Sequence, residues 1–579
     1  MSKSLFPCLL LLMLMISLGC QRQSADSNKD AQAANHLADH TFESTAENTA
    51  ENGHKDGIHW LKGDVDAAFA IAAREHKLIL LYWGAVWCPP CNQLKATLFK
   101  DRDFIAKTRL LVPVYLDGDT ANAQQLGEKF NISGYPTLIL LKPEGEEITR
   151  IPGGMDLSQY EAVLELAIQM QRPVRVIVAE FRAGKTLSDK DFRLLALYSW
   201  DQDRGSVLSE NEASALLLSL YQACPETQSI DKSRLFAQWW SMRLEELDEQ
   251  SEAGDDSANS GKTGEPAPAP QISAEEHERV YRGLSKILDN PELIRNNLDL
   301  VLYGAGDTFE YLFPAPDNES GTAELLQAWN QALADIRLDQ SLSLAERLAP
   351  LYAQIQFQNL NTDEQDMTAS PELMADIRNT IATIRSKISN RYEHSAVVNL
   401  AVYLLSLSGQ NQEAGKLLEA ELKNAASPYY LMLDLAETAK ELGHEEDALQ
   451  WMKRAYNEAA EGPTRFQWGV YYLRSLADLQ PDNETDIETL VSELFAILQS
   501  RDDAFYNRNQ RSVQRMAKIL TRWNEDKAHA AALSRIQLKA NNLCNTWKAE
   551  PEGENYQRCE TFAEELDKNS SEKKGAVQD

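Results

Sequence analysis

Two cysteines two residues apart, in Trp87-Cys88-Pro89-Pro90-Cys91, stand between an apolar run and a helical stretch. No other feature limits the fold of this chain as strongly. The run Leu78-Ile79-Leu80-Leu81-Tyr82-Trp83 has the length and composition of a buried strand, and residues 92–100 have the polar-apolar pattern of a helix. Two cysteines at that spacing can close a disulfide within the first turn of a helix, and in an α/β unit the motif reads as redox-active. The flanking sequence repeats the alternation. Residues 64–76 place Val65, Ala68, Phe69 and Ala72 on one helical face, 110–116 form a second apolar strand, and 121–130 a helix. Residues 137–141 form a third strand, Pro143-Glu144-Gly145 a turn into an edge strand at 147–151, and 157–170 a closing helix. Strands alternating with helices predict an α/β layer fold.

At 579 residues the chain exceeds one core, and a formal charge of −31 argues against nucleic acid and against docking on anionic lipid through a basic face. Lys3 followed by an apolar stretch at 5–18 has the proportions of a signal peptide over residues 1–20. Residues 21–56 carry almost no large apolar side chains and read as a disordered tether. His36, His40, His54 and His59 are too scattered for a metal site, and none is expected. An exported chain meets an oxidising compartment, so disulfides are permitted. Cys544 and Cys559 either staple two helix ends or stand as free thiols, and Cys224 reads as a small buried hydrophobe.

The order strand, Trp-Cys-x-x-Cys helix, strand, helix, then Gly134-Tyr135-Pro136-Thr137 before another strand resembles the thioredoxin superfamily. Within it the chain is similar to bacterial thioredoxin-like domains, including the C-terminal domain of the periplasmic thiol:disulfide interchange reductant conductor. It covers residues 57–172 and implies a thioredoxin fold there. By that resemblance Cys88, at a helix N-terminus, is the nucleophile and Cys91 resolves the mixed disulfide. Pro89 fits the first helical turn and Pro90 stiffens it. Pro136 takes the place of the family's cis-proline, Tyr135 offers backbone to an extended substrate, and Trp87 shields the sulfurs. Tyr82 stands where thioredoxins carry a buried Asp, which leaves the proton acceptor for the resolving thiol open. The Pro-Pro pair lacks the His of strongly oxidising relatives, which favours a reductant. No cofactor is expected beyond the Cys88/Cys91 disulfide itself. The end of the leader, Ser17-Leu18-Gly19-Cys20, resembles a bacterial lipobox, which would make Cys20 a lipidation site. The only membrane contact expected is that lipid anchor. Gln21 in place of Asp points to the outer rather than the inner membrane, with a soluble periplasmic protein as the alternative.

Beyond Arg172 the pattern is helical: a segment at 173–248, an acidic and Pro-rich stretch at 249–272 that reads as disordered linker, an all-α domain at 273–567, and a polar tail at 568–579. Trp239 and Trp240 read as core. Gly409 and Gly443 lie 34 residues apart, each followed by Ala (Ala414, Ala448) and then a large apolar residue (Leu418, Met452). Leu435, Ala436 and Ala455 fit the same pattern, and Glu421 departs from it. This resembles the tetratricopeptide repeat near 395–462, against a plain helical bundle as the alternative. The chain as a whole is therefore expected to be multidomain, an N-terminal α/β thioredoxin fold followed by an all-α, tetratricopeptide-like region. Two functions fit. One is an exported, lipid-anchored thiol-disulfide oxidoreductase acting on protein thiols and disulfides, recharged by an inner-membrane reductant donor, with protein or peptide clients on the helical region. The other is a chaperone-like holdase or assembly scaffold in which the redox pair is secondary.

Overall fold

The computed structural model describes residues 57–571, apart from 152, 154–156, 204, 210–211, 260–270, 314–318, 361, 363–365 and 551. The leader, Cys20, the tether up to 56 and residues 572–579 lie outside the described residues. Five strands, β1 (Leu61–Lys62), β2 (Leu78–Gly84), β3 (Leu111–Asp117), β4 (Thr137–Leu141) and β5 (Glu147–Ile151), form one sheet in the order β1-β3-β2-β4-β5. β1 and β2 run parallel to β3, β4 antiparallel to β2, and β5 antiparallel to β4. Strand β2 is buried along its whole length because it feeds two cores. Leu78, Leu80 and Tyr82 face one with Leu94, Leu98 and Phe104; Ile79, Leu81 and Trp83 face the other with Val65, Ala68 and Ala72. A strand covered on both faces reads as a continuous apolar run rather than an alternating one. Pro113, which has no N–H to give, is tolerated in β3 because the two-residue β1 pairs only with Val114 and Tyr115.

The helices of this unit are α1 (Val65–Glu75), α2 (Pro89–Ala96), α3 (Arg102–Thr108), α4 (Ala121–Lys129) and α5 (Leu157–Met170). Asp64 starts α1 by accepting the Ala67 N–H at 2.8 Å, and His76, left-handed at φ 54°, ends it. The helix opened by the motif starts at Pro89, as expected, but ends at Ala96, and the last part of the stretch expected to be helical to 100 is a 3₁₀ turn, Leu98–Lys100. Helix α3, absent from the sequence reading, is set by Asp101, whose carboxylate accepts the Asp103 and Phe104 N–H groups. Seven residues are too few for helical periodicity to stand out.

Among the described residues, twelve helices, α6 to α17, follow between Val174 and Arg385. Trp239 and Trp240 lie in their core, and the Trp240 indole donates to Thr308 Oγ1 at 2.9 Å. The expected linker at 249–272 is corrected in its first part, since the helix that carries both tryptophans runs on to Asn259. Once Leu244 and Leu247 anchor it, further turns need no new nucleation. Residues 260–270 lie outside the described residues.

Helices α18 (Arg391–Leu407), α19 (Asn411–Glu421), α20 (Pro428–Glu441) and α21 (Glu445–Glu458) are two tetratricopeptide-like pairs. Gly409 (φ 72°) and Gly443 (φ 75°) end the first helix of each pair in the same way. In both, the next residue's N–H reaches back over the cap: Gln410 to Leu405 O and His444 to Ala439 O, each at 2.8 Å. Ala414, Leu418, Ala448 and Met452 are buried between the helices. Glu421, the departure from the pattern, is also buried, and takes hydrogen bonds from Asn424, His394 and Arg385. Burial opposes its charge, but those donors outweigh it and hold its pKa down at about 2. The stack continues through α22 (Pro463–Leu479), α23 (Glu484–Gln499), α24 (Asn507–Trp523), α25 (Ala530–Cys544) and α26 (Glu554–Ser571), which share one core. Helix α26 runs past 567 into the stretch expected to be a disordered tail, again by elongation from residues anchored in that core, Phe562 and Leu566. Cys544 and Cys559, at the end of α25 and within α26, are joined by a disulfide.

Candidate redox site

The polypeptide leaves β2 at Gly84, turns through Ala85 and Val86, and enters α2 with Cys88 as its N-cap. Pro89 and Pro90 occupy the first two helical positions, where a missing N–H costs little. Cys88 Sγ accepts the Cys91 backbone N–H at 3.2 Å, and the two sulfurs are bonded to each other. That N–H and the free end of the helix would stabilise a Cys88 thiolate once the bridge is reduced. Cys88 is 2% exposed and Cys91 0%.

The second motif meets the first at one end of the sheet, where β2 ends beside the start of β4. The Tyr135–Pro136 peptide bond is cis, and Tyr135 O lies 3.5 Å from Cys88 Sγ, within reach of the Cys88 thiol in the reduced state. The Tyr135 hydroxyl is held by the Gln124 side-chain amide at 3.2 Å. Trp87, 8% exposed, donates its indole N–H to Asp119 at 2.9 Å and lies against the Tyr135 ring.

Tyr82 is no proton acceptor for Cys91 near neutral pH. It is buried against Phe99 and Tyr115, its hydroxyl has no partner, and burial pushes its pKa well above the usual tyrosine value. Asp117, at the end of β3, has its carboxyl raised by burial, and Lys95, one turn beyond Cys91 on α2, has its ammonium lowered by the same cause.

Three residues that sequence reasoning missed complete the site. Asp119 joins Trp87 to Thr464 on α22 and to the guanidinium of Arg508 on α24. Arg508 also lies over the Trp87 ring, 5.0 Å from its centre. The Asp117-Gly118-Asp119-Thr120 turn beside the motif was a signal for Asp119. Nothing local could flag Arg508, which stands 389 positions away from it. Helix α20 adds Tyr429, Tyr430, Met432 and Leu433, and α22 adds Trp468 and Tyr471, so both cysteines share an apolar core with the helical region. Cys224 lies elsewhere, buried, with its thiol pushed up to about 12 by burial.

A mixed sheet of this order, a Cys-x-x-Cys opening a helix and a cis-proline loop against the sulfurs define a thioredoxin-like domain. Residues 65–168 match the family model of that description. Among curated relatives, thiol:disulfide interchange protein DsbD 2 of Pseudomonas aeruginosa is 30% identical over 103 residues, 17% of this chain and 18% of that protein. Thioredoxin H4 of Arabidopsis thaliana is 30% identical over 14% of this chain and 65% of its own length. Human nucleoredoxin-like protein 1 is 25% identical over 23% of this chain and 75% of its own length. The chain thus spans less than a fifth of the DsbD proteins it matches. A solved structure of the human IFIT1 dimer with PPP-AAAA aligns over 72% of this chain and 96% of its own at 14% identity, with a TM-score of 0.22, too low to define a shared fold.

Proposed function

We propose that this protein is a thiol-disulfide oxidoreductase that reduces disulfides in client proteins. The observation that carries this reading is the Cys88–Cys91 bridge at the N-terminus of α2, with Cys88 Sγ set between the Cys91 N–H and the Tyr135 carbonyl. In the reduced enzyme the Cys88 thiolate attacks a client disulfide, forming a mixed disulfide and releasing one client thiolate. Cys91, as thiolate, then attacks Cys88 Sγ, which frees the second client thiolate and closes the Cys88–Cys91 bridge. Two electrons and two protons pass to the client, and a dithiol donor must return them. The reducing direction is supported by the Pro-Pro pair, and an inner-membrane reductant conductor fits as donor. The leader and Cys20 support export and lipid anchoring at the outer membrane, facing the periplasm.

The test is a Cys91→Ala variant. It is expected to hold client proteins as mixed disulfides on Cys88, visible on non-reducing gels and released by dithiothreitol. Capture of no client, together with no exchange by the native protein on a model protein disulfide, would sink the proposal. A chaperone or scaffold role predicts instead that Cys88→Ser retains full function in cells.

A further inference from the structure

A protein disulfide can reach Cys88 only if the surface around it is free, and in this structure it is not. Tyr430 stacks on Trp87 at 6.2 Å between ring centres, and Trp468 meets the same indole edge-on at 6.0 Å. The crevice that remains beside Val86 and Trp87 holds about 20 Å³. That is room for about one water molecule and for no peptide. The cysteines, Trp87 and the inner faces of α20 and α22 are one continuous apolar cluster.

We infer that the helical region is a releasable cover over the redox pair, and that protein exchange requires α20, α22 and α24 to lift from the Trp87–Cys88 corner. The inference rests on the oxidoreductase reading and adds its control. Two charge contacts latch the closed form. Arg508 pairs with Asp119 beside the cysteines, and at the rim Arg558 on α26 pairs with Glu128 on α4, its Nη1 2.7 Å from the carboxylate. Two features make the cover releasable. Arg508 is 6% exposed, yet its Nε and Nη1 donors have no partner, so the closed form carries an unmet desolvation cost that water would relieve on opening. The rim pair is part-exposed, so ions weaken it.

The test uses the full chain and a variant remote from the sulfurs. Arg558→Glu places like charges at the rim, and Glu128→Arg combined with Arg558→Glu restores an opposite pair with its signs exchanged. After reduction, Cys88 is labelled with iodoacetamide and, separately, with a bulky polyethylene-glycol maleimide. Reaction with the bulky reagent is expected to be slow in the native protein, about fivefold or more faster in Arg558→Glu, and slow again in the double variant, as a shift in the open population requires. Tyr430→Ala, which removes the stacking on Trp87, is expected to act in the same direction and serves if Arg558→Glu misfolds. Equal bulky-reagent rates in the native protein and both opening variants would overturn the cover. Exchange with a model protein disulfide is measured in parallel. If opening accelerates labelling but no form exchanges, the cover stands and the oxidoreductase reading falls.

Discussion

Tyr82 stands where the thioredoxin resemblance leads one to expect a buried acid, and its surroundings are those of an aromatic core residue. The ring fills space between Trp60, Phe99 and Tyr115, while the hydroxyl finds no partner. An unsatisfied buried hydroxyl costs stability, so Tyr82→Phe is expected to be neutral or stabilising by about 1 kcal/mol in urea unfolding, with unchanged exchange kinetics. A loss of exchange activity in that variant would mean that the hydroxyl moves protons after all. Asp434, on α20 one turn beyond Tyr430, is the opposite case. Burial, with the like charge of Glu437 behind it, pushes its carboxyl up to about 7. A carboxyl raised by folding holds its proton more tightly in the native state, so its protonated form favours folding. That contribution is complete below the ordinary carboxylate range and is lost as pH rises through about 7. Asp434→Asn is therefore expected to stabilise the protein by about 1–3 kcal/mol at about pH 8 and by little at about pH 4, read as the difference between urea midpoints. The same stabilisation at both pH values would rule out a titrating Asp434.

Among the elements, the paired helices owe their ends to single residues and their packing to small ones. The turns at Gly409 and Gly443 were readable because only glycine adopts that left-handed cap without strain, and because Ala414 and Ala448, each the fourth residue of the following helix, admit close approach. Glu421 was readable only as an exception; its three donors come from α19's own end and from neighbouring helices. The last pair, α25 and α26, is tied instead by Cys544–Cys559 across 15 residues. Replacing both cysteines with serine is expected to lower stability by about 2–4 kcal/mol, with the loss seen as a lower denaturant midpoint and faster hydrogen exchange in α26. Helices α25 and α26 keeping native protection without the bridge would show that packing around Phe562 and Leu566 suffices.

For the molecule as a whole, the site belongs to two regions at once. Trp87, Cys88 and Cys91 are buried by side chains of α20 to α22, so the thioredoxin-like unit lends the helical stack part of its core. Apolar burial of that kind couples the stability of the two parts. Hydrogen exchange of the β2 and β4 amides and of the α22 and α24 amides is expected to report the same free energy of opening, within about 1 kcal/mol. A sheet that opens well below the helices would mean that the contact adds nothing to either. The rim pair bears on the same point, since raising the salt concentration should speed bulky labelling of reduced Cys88 without changing the fold.

The strand run 78–83, the Cys88/Cys91 spacing, the Gly134–Thr137 loop and the glycine-ended helices follow from local rules. Periodicity, turn chemistry and motif spacing act over a few residues, so the amino-acid order alone determined a thioredoxin-like unit joined to paired helices. The short helix α3 and the helical continuation to Asn259 escaped those rules, one for want of length, the other because its signal is the anchored helix before it. The partners of Trp87 were beyond them altogether. Asp119, Thr464 and Arg508 meet only when strand, turn and two distant helices are packed, since hydrogen bonds and desolvation depend on position in space. The order of residues placed a reactive pair at a helix end, and only the tertiary structure decided that the pair lies under a cover.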